Sequence, residues 1–296
     1  MDKPRILHFL SPLQNVSPFD VNMAYDAGFV VASYTGISLK DVKTLTQDAM
    51  FSRAPQDAAK TVLFIGGRDA LLALDMADAA RGAMFPPFVI SVFVDPSGAF
   101  TTAAAMVAVV EKHLKRLGSD LAGATVAVIG AKGVVGGIVG VIAAEAGAKV
   151  TLVAHDKSGV VEQKAPAFHQ RFGPEFAVAD GSTESGRRAA VAEADVILAA
   201  GPAGVQVLSR AELEAARRLK VAADLNAVPP AGIAGLDARA DGTPLGIGDA
   251  IGVGALAIGN VKFRVQHELL ERLHKGDKAQ SFDFRDAHRV AQAIAG

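Results

Sequence analysis

The 296-residue chain has no cysteine. That excludes a disulfide, a thiolate nucleophile, an iron–sulfur cluster and any zinc site built on cysteine, and it fits a cytoplasmic setting. An excess of charge of one sign is also missing. Lys and Arg number 30 against 31 Asp and Glu, for a formal net charge of −1, so neither nucleic acid nor an anionic membrane is expected as a partner. The longest stretch without charge, residues 96–110, has 15 residues and includes Pro96, Gly98 and two threonines. A membrane-spanning helix needs about 20 apolar residues, so no span is expected. The first residues offer a short apolar run broken by His8 and no small-residue cleavage site, and no removed leader is expected.

Familiar catalytic signatures are absent too. None of the seven histidines forms an H-E-x-x-H or H-x-x-x-H pair, and no metal is expected. There is neither a G-x-S-x-G elbow nor a G-x-x-x-x-G-K-[ST] phosphate loop.

What is present is an alternation of short aliphatic runs with longer segments of helical period, the pattern of parallel sheets covered on both faces. Strands are expected at residues 5–10, 29–34, 61–66 and 88–94, and a second series at 125–130, 149–154, 175–179, 195–200 and 220–225. A helix is expected to begin after residues 17–20, and another after Ser38, which with Asp41 resembles a capping box. The alanine-rich segment 101–117 reads as a helix ending in basic residues, followed by a polar segment, 118–124, suited to a boundary. Val261, Val265, Leu269 and Leu273, at steps of four, predict amphipathic helix over roughly 262–296.

The expected fold is two α/β domains with a cleft between them, one a Rossmann-like doubly wound parallel sheet. Residues 1–118, completed by helices in 262–296, form the N-terminal domain, and residues 119–261 the dinucleotide-binding domain.

The second domain opens on a strand that runs into Gly130, Ala131, Lys132, Gly133, Val134, Val135 and Gly136. A dinucleotide turn requires a tight bend, a glycine where backbone meets pyrophosphate, and a small residue packing helix on sheet. Here alanine takes the first place of G-x-G-x-x-G, the other glycines stand at 133 and 136, and Gly130 precedes the motif. A plain βα turn has similar letters, but the run 149–154 follows at the distance of a second Rossmann strand and favours the cofactor reading. The glycines of "FIGGRDA", 64–70, lack the third position and are read as a simple turn. At the end of the second strand an acidic residue grips ribose hydroxyls of NAD and a basic one favours the 2′-phosphate of NADP. Ala154 occupies the usual acidic position and His155 and Asp156 follow, so use of both NAD and NADP is expected. Lys132 reaches phosphate or faces water. Ala200, Gly201, Pro202 and Asn226 end later strands and are expected on the nicotinamide side. Gly201 equally serves a turn, and Asn226 a cap.

Five further stretches, 17–29, 45–57, 93–107, 224–235 and 252–262, together resemble the methylene-tetrahydromethanopterin dehydrogenases of methylotrophic bacteria over nearly the whole chain. The likeness is closest to the form that accepts NAD or NADP. The resemblance implies hydride transfer from the methylene group of a tetrahydromethanopterin-type pterin to NAD or NADP, giving the methenyl form, within one-carbon (formaldehyde) oxidation. It also implies a homo-oligomer, a trimer or hexamer. Asp20 and Lys262 are then the candidate catalytic residues, and Asp26, Asp95, Thr101 and Thr102 the substrate-binding ones. Competing structural roles fit each: Asp20 as a first-turn carboxylate, Lys262 on an exposed helical face, and Asp95, Thr101 and Thr102 as helix caps.

Two other functions compete. Methylene-tetrahydrofolate is an alternative substrate, although the Y-x-x-x-K element of bifunctional folate enzymes is missing: Tyr25 and Tyr34 are followed four residues on by Phe29 and Ser38. The other is a non-catalytic dinucleotide sensor.

Overall fold

A computed structural model describes residues 3–296. In chain order the regular elements are β1 (Ile6–Leu10), α1 (Pro18–Asp26), β2 (Val30–Tyr34), α2 (Val42–Phe51), β3 (Thr61–Ile65), α3 (Ala70–Ala83), β4 (Ser91–Val94), α4 (Ala99–Arg116), β5 (Thr125–Ile129), α5 (Val134–Glu145), β6 (Lys149–Ala154), α6 (Val160–Phe172), β7 (Ala177–Asp180), α7 (Glu184–Val191), β8 (Val196–Ala199), α8 (Arg210–Leu213), β9 (Val221–Asp224), β10 (Asp241–Pro244), β11 (Ile251–Val253), α9 (Ala255–Lys275), β12 (Ser281–Phe282) and α10 (Phe284–Ala295). The chain divides into two compact units. One comprises residues up to Thr101 with Phe263–Val290, the other Thr102–Lys262 with Ala291–Gly296. No helix among the described residues is long and apolar enough to cross a membrane.

The first unit holds a parallel sheet of order β12-β4-β3-β1-β2. β3 and β4 are buried along their whole length, as expected where helices cover both faces and the strand reads as a continuous apolar run. One register row crosses four of the five strands: Phe9 lies beside Phe64, Phe64 beside Phe93, and Phe93 beside Phe282. Their rings meet edge to face with centroids 4.7, 5.2 and 6.3 Å apart, a geometry each such pair gains about 0.5–1.5 kcal/mol from, beyond area burial. This row brings in β12, two residues long and recognisable from sequence only as part of an expected helical tail. The 262–296 segment is thus two helices separated by a strand, and α9 begins at Ala255. Val265, Leu269 and Leu273 form its buried stripe as their spacing predicts, with Val261 half-buried.

The expected strand at 88–94 is shorter in the ladder, Ser91–Val94. Pro86 and Pro87 carry no N–H for a ladder, and the Phe88 N–H donates instead to the Phe85 carbonyl at 2.7 Å in a turn.

The second unit holds a seven-stranded sheet of order β10-β11-β9-β8-β5-β6-β7. All pairings are parallel except β10 with β11. Read from β7, the first six strands have the doubly wound order whose direction reverses between β5 and β8, and ligands of such sheets bind outside the carboxyl ends at that reversal. β10 was not foreseeable from residue type: Asp241, Gly242, Thr243 and Pro244 are mostly weak strand formers. It is an antiparallel edge, where proline is tolerated. Ile129, Ile197, Leu208, Leu213, Ala222 and Ile233 belong to the apolar core of this unit.

Replacing Phe64, at the centre of the aromatic row, with alanine is expected to destabilise the protein by about 3–5 kcal/mol. Gly82→Ala is expected to stabilise it by about 0.5–1 kcal/mol, because a Cβ at that α3 position meets nothing within 4 Å. Urea denaturation of the two variants checks both signs.

Candidate active site

The βα turn after β5 is built by backbone packed on backbone. Gly130 has φ +87°, and a Cβ there would lie 2.5 Å from the Ala200 carbonyl oxygen, just after β8. The Ala200 N–H in turn donates to the Ile129 carbonyl at 2.8 Å. Gly130 therefore stands at the strand-order reversal and is the left-handed residue of the turn. A Cβ at Gly136 would lie 2.4 Å from the Gly130 oxygen, so α5 can start this close to the strand only with glycine there. Ala131 is fully buried beneath the turn, and Val134 and Val135 are half-buried in the first turn of α5.

Gly133 differs from its neighbours. Its φ of −69° and ψ of 166° suit any residue, and a Cβ would meet only the Gly130 oxygen, at 3.5 Å. The chain itself does not demand glycine at this exposed position. As N-cap of α5 it supplies no side-chain cap, leaving the first N–H groups of a 12-residue helix open to an anion.

Lys132 and Asp156 meet. The Lys132 Nζ donates to Asp156 Oδ2 at 2.8 Å, and His155 Nε2 stands 3.4 Å from the same oxygen. Asp156 Oδ1 accepts the Ser158 N–H at 3.0 Å. The Lys132 ammonium, followed by the Ser158 hydrogen bonds, holds the Asp156 carboxyl well below the usual carboxylate range. Lys164, from α6, donates to the carbonyls of Lys132 and Gly133 and so fixes the base of the turn.

The loops after β8 and β9 are tied together. Asn226 Oδ1 accepts from the N–H groups of Gly204, at 3.0 Å, and Val228, at 2.9 Å, while its amide donates to the Pro230 carbonyl at 2.8 Å. Asp224 is buried and accepts from the N–H groups of Asn226 and Ile233, each at 3.0 Å. Burial pushes its carboxyl pKa up against those N–H groups. Gly201 leaves room for Val207, whose side chain a Cβ would approach to 2.5 Å, and Pro202 is exposed.

In the first unit Ser17 caps α1, its hydroxyl accepting the Asp20 N–H. Asp20 therefore sits in the first turn. It is buried and accepts from the Gln266 side-chain amide at 2.7 Å. Asp26, two turns on, is exposed, as a spacing of six on one helix implies. Asp95 is fully buried. Its Oδ1 accepts the N–H groups of Phe100 and Thr101, and its Oδ2 accepts the Thr101 hydroxyl at 2.7 Å, so the pair holds the start of α4. Thr102 is half-buried at the next position, and Lys262 is half-buried as the eighth residue of α9.

The comparisons with known proteins bear on this arrangement. The chain is 51% identical over 293 residues, 98% of its own length and 99% of the relative's, to the NAD(P)-dependent methylenetetrahydromethanopterin dehydrogenase of Methylorubrum extorquens. Residues 18–97 match the family described as methylene-tetrahydromethanopterin dehydrogenase, N-terminal. The chain belongs to the methylene-tetrahydromethanopterin dehydrogenase family. A second relative from the same organism, the bifunctional protein MdtA, is 29% identical over 94% of this chain and 95% of its own. Among solved structures, the shikimate 5-dehydrogenase of Listeria monocytogenes, in complex with shikimate and NAD, matches 92% of each chain with a TM-score of 0.52 at 14% identity. That likeness shows a shared Rossmann-like two-domain fold.

The residues present in this member of the family fit a dinucleotide. Gly133 leaves open the space that a side chain would fill, at a helix start whose N–H groups lack a side-chain cap, and the turn stands at the strand-order reversal. Two features escaped the sequence. Gln266 approaches Asp20 from 246 residues away, and Lys164 supports a turn 32 residues before it; neither separation leaves a local signal. The pair Gly66 and Gly67, set aside above as a simple turn, follows β3 where the first sheet reverses its strand order. There the Gly66 N–H donates to the Leu10 carbonyl at 3.0 Å and the Ser97 hydroxyl to the Gly67 carbonyl at 2.7 Å.

Gly136→Ala is expected to cost about 1–3 kcal/mol through overpacking and to weaken dinucleotide binding, since α5 must withdraw from the turn. Denaturation and NADH titration of the same variant test the two effects.

Proposed function

We propose that this chain oxidises methylene-tetrahydromethanopterin to the methenyl form by transferring a hydride to NAD or NADP, as a step of one-carbon (formaldehyde) oxidation. The near-complete relationship to the NAD(P)-dependent enzyme of Methylorubrum extorquens carries the reading, and the turn at Gly130–Gly136 supports its dinucleotide half.

The methylene carbon lies between two nitrogens of the reduced pterin. Its C–H bond breaks with both electrons leaving as hydride, and the positive charge that remains spreads over the N–C–N unit. The dinucleotide, when bound, supplies the acceptor carbon of the nicotinamide. No proton moves in this step, so no general acid or base is required. The protein's part is to position two rings and to stabilise developing positive charge.

Asp20 has the properties for the electrostatic part. It is a buried carboxylate at the start of α1, oriented by the Gln266 amide, and a carboxylate kept from water acts strongly on a nearby cation. Lys262 is assigned to positioning the pterin. Asp26, Asp95, Thr101 and Thr102 are assigned to the substrate side, with Asp95 acting through the α4 start that it holds. Gly130, Ala131, Lys132, Gly133, Val134, Val135, Gly136, His155, Asp156, Ala200, Gly201, Pro202 and Asn226 are assigned to the cofactor. We further assign the enzyme to the cytoplasm, in keeping with its lack of cysteine. A homo-oligomer, trimer or hexamer, follows from the family resemblance, and the exposed Phe51 and Phe85, packed on half-buried Phe88, offer an apolar surface for association.

Purified protein given methylene-tetrahydromethanopterin with NAD or NADP is expected to form reduced nicotinamide. No turnover with either would overturn the reading, and equal turnover of methylene-tetrahydrofolate would overturn the pterin assignment alone. Asp20→Asn keeps an acceptor for Gln266 and removes the charge; a loss of kcat of about 100-fold is expected. His155→Arg is expected to move the kcat/KM ratio toward NADP.

A further inference from the structure

The end of β6 carries an arrangement that the cofactor assignment does not itself explain. An acidic side chain at this place in a dinucleotide sheet ordinarily accepts from the ribose hydroxyls of NAD and repels the 2′-phosphate of NADP. Asp156 is such a residue, yet both of its oxygens are engaged by the chain's own donors: Oδ2 by Lys132 Nζ at 2.8 Å and Oδ1 by the Ser158 N–H at 3.0 Å. The lysine comes from inside the glycine turn, so cation and anion are presented together at the end of β6.

Two further observations define what the pair can do. The side chains of Lys132 and Asp156 are each 39% exposed, so a ligand can reach both. An exposed pair of this kind contributes little to folding, and exchanging one anion for another at Lys132 Nζ costs correspondingly little. The base of the lysine is fixed, because Lys164 donates to the Lys132 and Gly133 carbonyls.

We propose that the Lys132–Asp156 ion pair is the device that lets one site accept both dinucleotides, an inference that rests on the NAD(P)-dependent reading above. With NAD, Asp156 keeps Lys132 and shares its carboxylate with a ribose hydroxyl. With NADP, the Lys132 ammonium turns from the carboxylate to the 2′-phosphate, and His155, 3.4 Å from the same carboxylate oxygen, stands beside it. Lys132 is thereby a specificity-determining residue, and the relaxed preference arises from a near-neutral pair in place of a single charge of either sign.

Binding without turnover tests this. NADH and NADPH are titrated by fluorescence, and 5′-ADP and 2′,5′-ADP are used as competitors that differ only in the 2′-phosphate. Lys132→Met is expected to weaken NADPH and 2′,5′-ADP by about 10-fold or more, through loss of a charge-assisted phosphate contact, and NADH and 5′-ADP by less than about 3-fold. Lys132→Arg is expected to retain NADPH binding, Asp156→Asn to move the ratio toward NADPH, and the double variant to fall between the singles. Lys164→Met, which loosens the turn itself, is expected to weaken both dinucleotides alike. If Lys132→Met keeps the parent ratio, or weakens all four ligands equally as Lys164→Met does, the inference is wrong. A parent protein that binds neither NADH nor NADPH overturns the proposed function instead, so the two failures are distinct.

Discussion

The close approach of three backbone segments at the β5–α5 turn governs the rest of the second unit. The Ala200 carbonyl stands where a side chain of residue 130 would be, and the Gly130 carbonyl where a side chain of residue 136 would be. With both positions reduced to glycine, α5 starts directly over the carboxyl end of β5, at the reversal of strand order. Its first N–H groups, without a side-chain cap, then stand at the carboxyl end of the sheet, where an anion can be held by dipole and hydrogen bond together. Neighbouring residues are placed by reference to this point: Lys132 within the turn, His155 and Asp156 at the end of the adjacent strand, and the Gly201–Gly204 loop after β8.

Carboxylates are held in two opposite ways. Asp156 is exposed and balanced by a flexible lysine, an arrangement that is cheap to rearrange. Asp20, Asp95 and Asp224 are buried. Each receives hydrogen bonds of fixed geometry from an amide, a hydroxyl or backbone N–H groups, as a carboxylate removed from water requires. Asp95 and Asp224 hold a helix start and a loop. Asp20 accepts from the Gln266 side-chain amide, a neutral donor that orients the carboxylate.

Much of this was legible in the residues. β3, β4, β8 and β9 are buried along their whole length and mostly apolar, and a run such as Thr61–Ile65 has few alternatives to a central strand. The glycine spacing, with a strand before and another about twenty residues later, located the turn. Beyond that, legibility ended for identifiable reasons. β10 and β12 are short edge strands whose pairing depends on partners already in place, β11 for the first and the Phe93 ring for the second. The 88–94 run looked uniform, yet the N–H groups of Phe88 and Val89 are taken up by the turn that Pro86 and Pro87 form before it. Asp95 and Thr101 were legible as a cap because they lie where a strand end meets a helix start. Gln266 and Lys164 were not recognised, because the contacts that give them meaning exist only after folding. The functional assignment itself came from the combination of five stretches, none of which is diagnostic alone.

The three glycines of the turn are not equivalent. Positions 130 and 136 answer to the fold, since neighbouring backbone already occupies the space of a side chain. Position 133 has an ordinary extended backbone and room beside it, so the fold makes no such demand there. A side chain at either outer position pushes α5 off the sheet, while one at the middle position leaves that packing in place.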